Sequence, residues 1–334
     1  MGVRARAFLV IAAVGLVLFS PGRSQADETD NFTCRNQTLR DSLGALDALM
    51  NVRIQEALAR ASRRERHSCD AACLFRLLQE AVGASDRHWP TGIPHARFEK
   101  WIDELPDIDR CHVEFRASVY GARDYDRPWR FPFNRRIIYL ADSVLVSGRV
   151  VGMDKFNHFI REGLANWRAV ARPGGDIAAV MTRELGPPGW QLRLNEHGMK
   201  GMSLTGVLAY ADLAASHSGF RFWSDLLSIG QAGSFVGYDA SAGAFVQRRD
   251  FTFAEYVNDA WDEGINCSVF HPTLATQVAT ALGRRGMSCP VADCRRLASL
   301  PQANLYVNPG CLPVADTSLR LLELEKLIRK RPAD

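Results

Sequence analysis

Eight cysteines constrain this 334-residue chain more than any other feature, and they fall into two groups of four. Cys34, Cys69, Cys73 and Cys111 lie toward one end, Cys267, Cys289, Cys294 and Cys311 toward the other, with none between. An even count in an exported chain favours disulfides over free thiols. Pairing inside each group leaves three connectivities per group, and the spacing alone does not choose among them. The expectation is one set of staples at each end of an unstapled middle. His67, Cys69 and Cys73 offer a metal-ligating alternative, disfavoured because thiols that leave the cytoplasm oxidise. No Cys-x-x-Cys occurs, which argues against a thioredoxin-like redox site and against covalent haem.

Export is the premise of that argument, and the first residues supply it. Arg4 and Arg6 precede an apolar run from Phe8 to Phe19; Pro21-Gly22 then breaks the pattern, and Ser24-Gln25-Ala26 offers small residues to a signal peptidase. Residues 1–26 are therefore expected to be a cleaved signal peptide, and the mature chain periplasmic or secreted. The run is short for a membrane span, so no transmembrane segment is expected after cleavage. Of the 41 Lys+Arg residues, three lie in that leader; against 37 Asp+Glu the remainder is nearly neutral. Such a body has no electrostatic footprint for nucleic acid. A basic complement dominated by arginine points to a GC-rich bacterial genome, so the sequons at Asn31, Asn36 and Asn266 read as accidental.

Hydrophobic periodicity makes the chain mainly α, a single disulfide-stapled helical domain with a small β-hairpin. Its parts are 27–133 with the first cysteines, 134–265 with the polar helices, and 266–334 with the second cysteines. Helices are expected at 38–64, capped by Thr38, and at 70–82, 96–105, 153–171, 176–185, 203–216, 220–229, 273–282 and 317–329. Residues 136–151 lean to β with a turn at Gly148, and 234–247 read as a hairpin. Thr252-Phe253-Ala254-Glu255 has the form of a capping box opening a helix to about Glu263.

Three polar constellations carry the candidate chemistry. On a helix turning about 100° per residue, Asp154, His158 and Glu162 fall within roughly 80° of one another, opposite Phe156, Phe159, Ile160 and Leu164. A His and carboxylates so spaced can share a metal, or the carboxylate can orient the His; the plainer alternative is a solvated face of i,i+4 pairs. Asp212 lies on a thin helix rich in Gly and Ala, beside its apolar face, where it needs a partner; Arg221 is the local candidate. Near the end of that helix, His217 would complement the dipole. Asp259, Asp262 and Glu263 crowd the C-terminal turn of the helix expected from Thr252, where the macrodipole disfavours anions by roughly 0.3–1 kcal/mol each. A metal, an Arg or Lys, or a cationic ligand group should offset them.

The chain has no Gly-x-Ser-x-Gly, no Walker loop and no dinucleotide fingerprint. Asp154-Lys155-Phe156-Asn157-His158-Phe159 resembles the Asp-Lys-x-x-His-Phe signature of VanZ-like membrane proteins and of small exported bacterial lipoproteins. Tyr210-Ala211-Asp212-Leu213, Gly219-Phe220-Arg221-Phe222-Trp223 and Asp259-Ala260-Trp261-Asp262-Glu263 resemble stretches of uncharacterised exported proteobacterial proteins. The resemblance implies a bacterial envelope location and transfers no activity. The expected function is a hydrolase acting on a cell-envelope component or small-molecule substrate. His158, Glu162 and Asp212 would be catalytic, and Asp154, His158, Asp262 and Glu263 would be ligands if a divalent metal such as zinc is the cofactor. A metal-free version would set a raised-pKa Glu162 opposite Asp212 on a polysaccharide. The alternative is a non-catalytic helical scaffold or binding protein whose polar helices are salt-bridge networks.

Overall fold

A computed structural model describes residues 28–63, 69–84, 97–121, 140–186, 195–197, 201–202, 205–229, 231 and 233–313. The expected signal peptide and the expected helix at 317–329 lie outside the described residues. The described chain is mainly helical with a few short strands, and no helix in it is long and apolar enough to cross a membrane.

Strand β1 (Glu28–Thr29) leads into a one-turn helix, α1 (Asn31–Cys34), capped by Asp30, which also accepts the Val119 amide. Helix α2 runs over Leu43–Ser62 and α3 over Ala71–Ala81; Leu46, Met50, Ile54 and Ala57 of one pack with Leu74, Leu77 and Leu78 of the other. Asp70 caps α3 by accepting the Cys73 amide at 2.8 Å. Helix α2 starts five residues after Thr38, because the chain before it is committed to the next hairpin. The Ser42 amide donates to the Leu145 carbonyl, and Asp41 accepts the amides of Leu43, Ser147 and Gly148. Helix α4 (Arg97–Asp103) follows, and β2 (Leu140–Ala141) pairs in parallel with β1.

Strands β3 (Ser143–Val146) and β4 (Arg149–Gly152) form the expected hairpin. Its two turn residues, Ser147 and Gly148, have φ of 51° and 76°, the two-residue geometry that suits the twist of a hairpin. The helix after it is not uniform. It begins as α5 (Asp154–Asn157), widens into a π-turn (His158–Glu162) and continues as α6 (Gly163–Val170). The widened turn leaves the Ile160 carbonyl able to accept the Trp223 indole N–H at 2.9 Å. Asp176 caps α7 (Ile177–Leu185), and β5 (Val207–Leu208) pairs with β8 (Val269–Phe270).

Helix α8 (Tyr210–Leu227) replaces the two helices expected at 203–216 and 220–229. Every residue from Tyr210 to Gly219 is buried, so it is a central helix, and Gly219 passes through it instead of ending it. The reason is a backbone crossing. A Cβ on Gly219 would lie 1.9 Å from the Phe159 carbonyl oxygen, and one on Gly163 would lie 2.5 Å from the Gly219 Cα. Gly219→Ala should therefore destabilise the fold by about 1–3 kcal/mol in a denaturant titration. Gly44→Ala, on α2 where nothing lies within 4 Å, should be neutral or stabilising; a Gly219→Ala protein as stable as wild type would contradict the crossing.

Strands β6 (Val236–Asp239) and β7 (Ala244–Gln247) form the second expected hairpin. The capping box does not open an α-helix. Its residues make a 3₁₀ turn at Phe253–Glu255, followed by another at Asp259–Trp261 that Asn258 caps. The Phe253 amide donates to Asp47, and Glu255 pairs with Arg249. Phe251, Phe253, Tyr256, Val257 and Trp261 are all buried. They complete an aromatic core in which Phe159 meets Phe222, Phe253 and Tyr256 at 5.1–5.5 Å. Helix α9 (Pro272–Arg284) and further 3₁₀ turns close the described chain.

The disulfides are Cys34–Cys111, Cys69–Cys73, Cys267–Cys289 and Cys294–Cys311, two inside each group of four. Cys69 and Cys73 are thus unavailable to a metal. Asn31 and Asn266 are fully buried, with side-chain amides donating to Val150 and to Ala260 and Tyr306, so two of the three sequons are sealed in the fold.

Candidate functional site

All three polar constellations contribute to one buried cluster, and its centre is a residue they did not include. Lys155 is wholly buried, and its Nζ lies 2.6 Å from Asp154 Oδ2, 2.6 Å from Asp212 Oδ1 and 2.5 Å from Glu263 Oε1. Asp154 and Lys155 enter from the start of α5, just after β4; Asp212 comes from the first turn of α8; Glu263 follows the second 3₁₀ turn. The Thr29 hydroxyl donates to Glu263 at 3.1 Å, and the Thr205 hydroxyl donates to the buried Glu28. Three separate stretches therefore meet at one ammonium, with Thr29 behind Glu263.

His158 forms the more open edge. Its Nε2 lies 3.3 Å from Asp212 Oδ2, with the His158 side chain 17% and the Asp212 side chain 10% exposed. One ligand atom each from Asp154, His158 and Asp212 lie within 4.8 Å of one another. Asp154 Oδ1 and His158 Nδ1 are buried with no hydrogen-bond partner. A step of four in α geometry sets Asp154 beside His158, as the spacing predicts. Glu162 closes the π-turn, half-buried, and is not in that group.

The remaining residues face elsewhere. Asp262 pairs with Arg35 at 2.5 Å and accepts the Gly264 amide. Asp259 sits between Arg149 and Arg296, each at 3.0 Å. With no α-helix over 252–263, the expected dipole conflict disappears, yet each of the three acids does face a Lys or Arg. Arg221 does not serve Asp212; it lies over the Tyr256 ring at 5.6 Å. His217 is mid-helix, not at a helix end: its Nε2 meets Gln302 at 2.8 Å and its ring lies over Tyr306.

Electrostatics in the cluster follow from one cation shared among several buried acids. Burial alone would lower the Lys155 pKa, but Asp154, Asp212 and Glu263 outweigh it and hold the ammonium charged. Asp154, Glu263 and Glu28 are raised chiefly by burial. Glu263 is pushed up to about 7, and Glu28 well above the usual range by burial and then by Glu263 and Asp212. In the unfolded chain Glu263 would titrate near about 4.3. Between the two values the folded state keeps a proton that the unfolded state has released, so stability falls as pH rises from about 4.3 to about 7 and levels off above. Glu263→Gln should flatten that slope in urea titrations between pH 4 and 8; an unchanged slope would remove Glu263 as its source.

Lys155 did leave a sequence signal. It precedes Phe159 by four, at the border between the polar face and the apolar stripe of its helix, in a chain whose other basic residues are mostly arginine. No protein-family model, curated protein or solved structure gives a significant match to this chain.

Proposed function

We propose that the chain is an exported bacterial envelope protein that binds one divalent metal ion at Asp154, His158 and Asp212 and hydrolyses a cell-envelope substrate. The supporting observation is the convergence of one imidazole and two carboxylates, with ligand atoms within 4.8 Å, at the edge of a buried ionic cluster. Three nitrogen and oxygen ligands leave coordination positions open, which is the mark of a catalytic rather than a structural zinc site. When bound, the ion would act as a Lewis acid and activate water. Lys155 holds one oxygen of each aspartate, Asp212 orients His158, and Glu162 is the proposed proton acceptor one turn on. The four disulfides are in keeping with an oxidising compartment.

Native mass spectrometry of the oxidised protein should show one bound ion, lost on EDTA treatment and absent in His158→Ala and Asp212→Asn. Glu162→Ala should keep the ion and slow hydrolysis of ester or cell-wall substrates by about 100-fold or more. One observation favours the scaffold reading instead: Lys155 already supplies a cation to the cluster. Absence of an ion, with no thermal shift on adding any divalent ion, would discard the metal site and favour that reading.

A further inference from the structure

We infer that the cage around Lys155 is a second cation position, filled by the chain's own ammonium, next to the proposed metal position and sharing both of its aspartates. The inference rests on that reading only for the identity of the neighbouring ion. An ammonium has three N–H donors, and three carboxylate oxygens, from Asp154, Asp212 and Glu263, lie 2.5–2.6 Å from Nζ. Nζ donates a hydrogen bond to Asp154 Oδ2, while Asp212 Oδ1 and Glu263 Oε1 are in ion-pair contact with it. Each aspartate also has an oxygen to spare. Asp212 Oδ2 faces His158, and Asp154 Oδ1 is buried without a hydrogen-bond partner on a residue only 4% exposed.

Carboxylates that bridge two cations about 3.5–4 Å apart are the framework of two-metal hydrolytic centres. In this chain one of the two positions is occupied by a covalently attached charge that a chelator cannot remove. Lys155 then acts as a positioning residue: it fixes the outward oxygens of both aspartates and restricts the centre to a single exchangeable ion. Glu263, in contact with Lys155 and Thr29, serves the lysine and not the metal.

The test is metal stoichiometry in Lys155→Met, a neutral side chain of similar length, and in Lys155→Met/Glu263→Gln, which removes one charge of each sign. Each would be titrated with ZnCl₂ and MnCl₂ and read by native mass spectrometry and thermal melting. Both variants should bind one more ion than wild type, the double variant about tenfold more weakly, and both should melt higher with the ion than in EDTA. A folded variant with the wild-type ion count overturns the inference, as does failure of both variants to fold with the ion present. The two proposals fail separately. Zero ions in wild type and one in Lys155→Met would sink the Asp154/His158/Asp212 site and keep the cage; one ion in each would do the reverse. In wild type, Glu263→Gln should leave the ion count unchanged, and a count that falls would place the metal in the cage.

Discussion

Lys155→Met in metal-free buffer lowers the stability of this protein by about 3–5 kcal/mol, the cost of removing one partner from a buried ionic cluster. The lysine side chain is 0% exposed and the side chains of its three carboxylate partners are 2–10% exposed, so water does not replace the lost cation. The acids respond by taking up protons, which is why the penalty should shrink at low pH. That loss is a large fraction of a typical stability margin of about 5–15 kcal/mol. Urea titrations of wild type and variant in EDTA measure the difference directly. A loss under about 1 kcal/mol would mean that the cluster is not ionised as its geometry indicates.

The second large effect concerns the Cys34–Cys111 bond, which closes a separation of 77 residues. On the chain-entropy view its removal costs about 4–5 kcal/mol, against about 2 for Cys69–Cys73, whose separation is 4 residues. A paired Cys34→Ala/Cys111→Ala variant should therefore melt well below Cys69→Ala/Cys73→Ala. It should also disturb the centre, because Cys34 ends the segment that brings Glu28 and Thr29 to the ionic cluster. Loss of the pH slope attributed to Glu263 in the first variant and its retention in the second would confirm that link. Equal losses in the two variants would show that loop length does not govern the stabilisation.

What was legible in the sequence follows from range. The helices expected from Asp70 and Asp176 start there because each is capped locally, by a side chain and an amide three residues away. The turn at Ser147-Gly148 and the hairpin at 236–247 are equally local. Helix α2 misses its expected start because Ser42 bonds to Leu145, a hundred residues on. Thr252 opens only a 3₁₀ turn: Asn258 is extended and caps a second one, and beyond it Asp262 and Glu263 are bound to Arg35 and Lys155, a hundred residues or more away. Gly219 reads as a breaker in sequence and is a crossing point in space, since only the position of Phe159 requires its missing Cβ.

The same division holds at the site. Asp154 and His158 were expected on one helix face, and that pairing is a matter of helical period alone. The π-turn at His158–Glu162, whose Ile160 carbonyl accepts Trp223 next to the Gly163–Gly219 crossing, is not encoded by periodicity. By itself the sequence determined the helical character of the chain, the grouping of its cysteines and the acidic and histidine faces worth following, because each is set by composition or by short-range geometry. Only the tertiary structure chose the disulfide partners within each group, matched Asp262 to Arg35, and brought Asp154, Asp212 and Glu263 around Lys155. Burial is the physical reason: a charge taken out of water needs a partner within a few ångströms, and which residue lies there is a property of the packed chain.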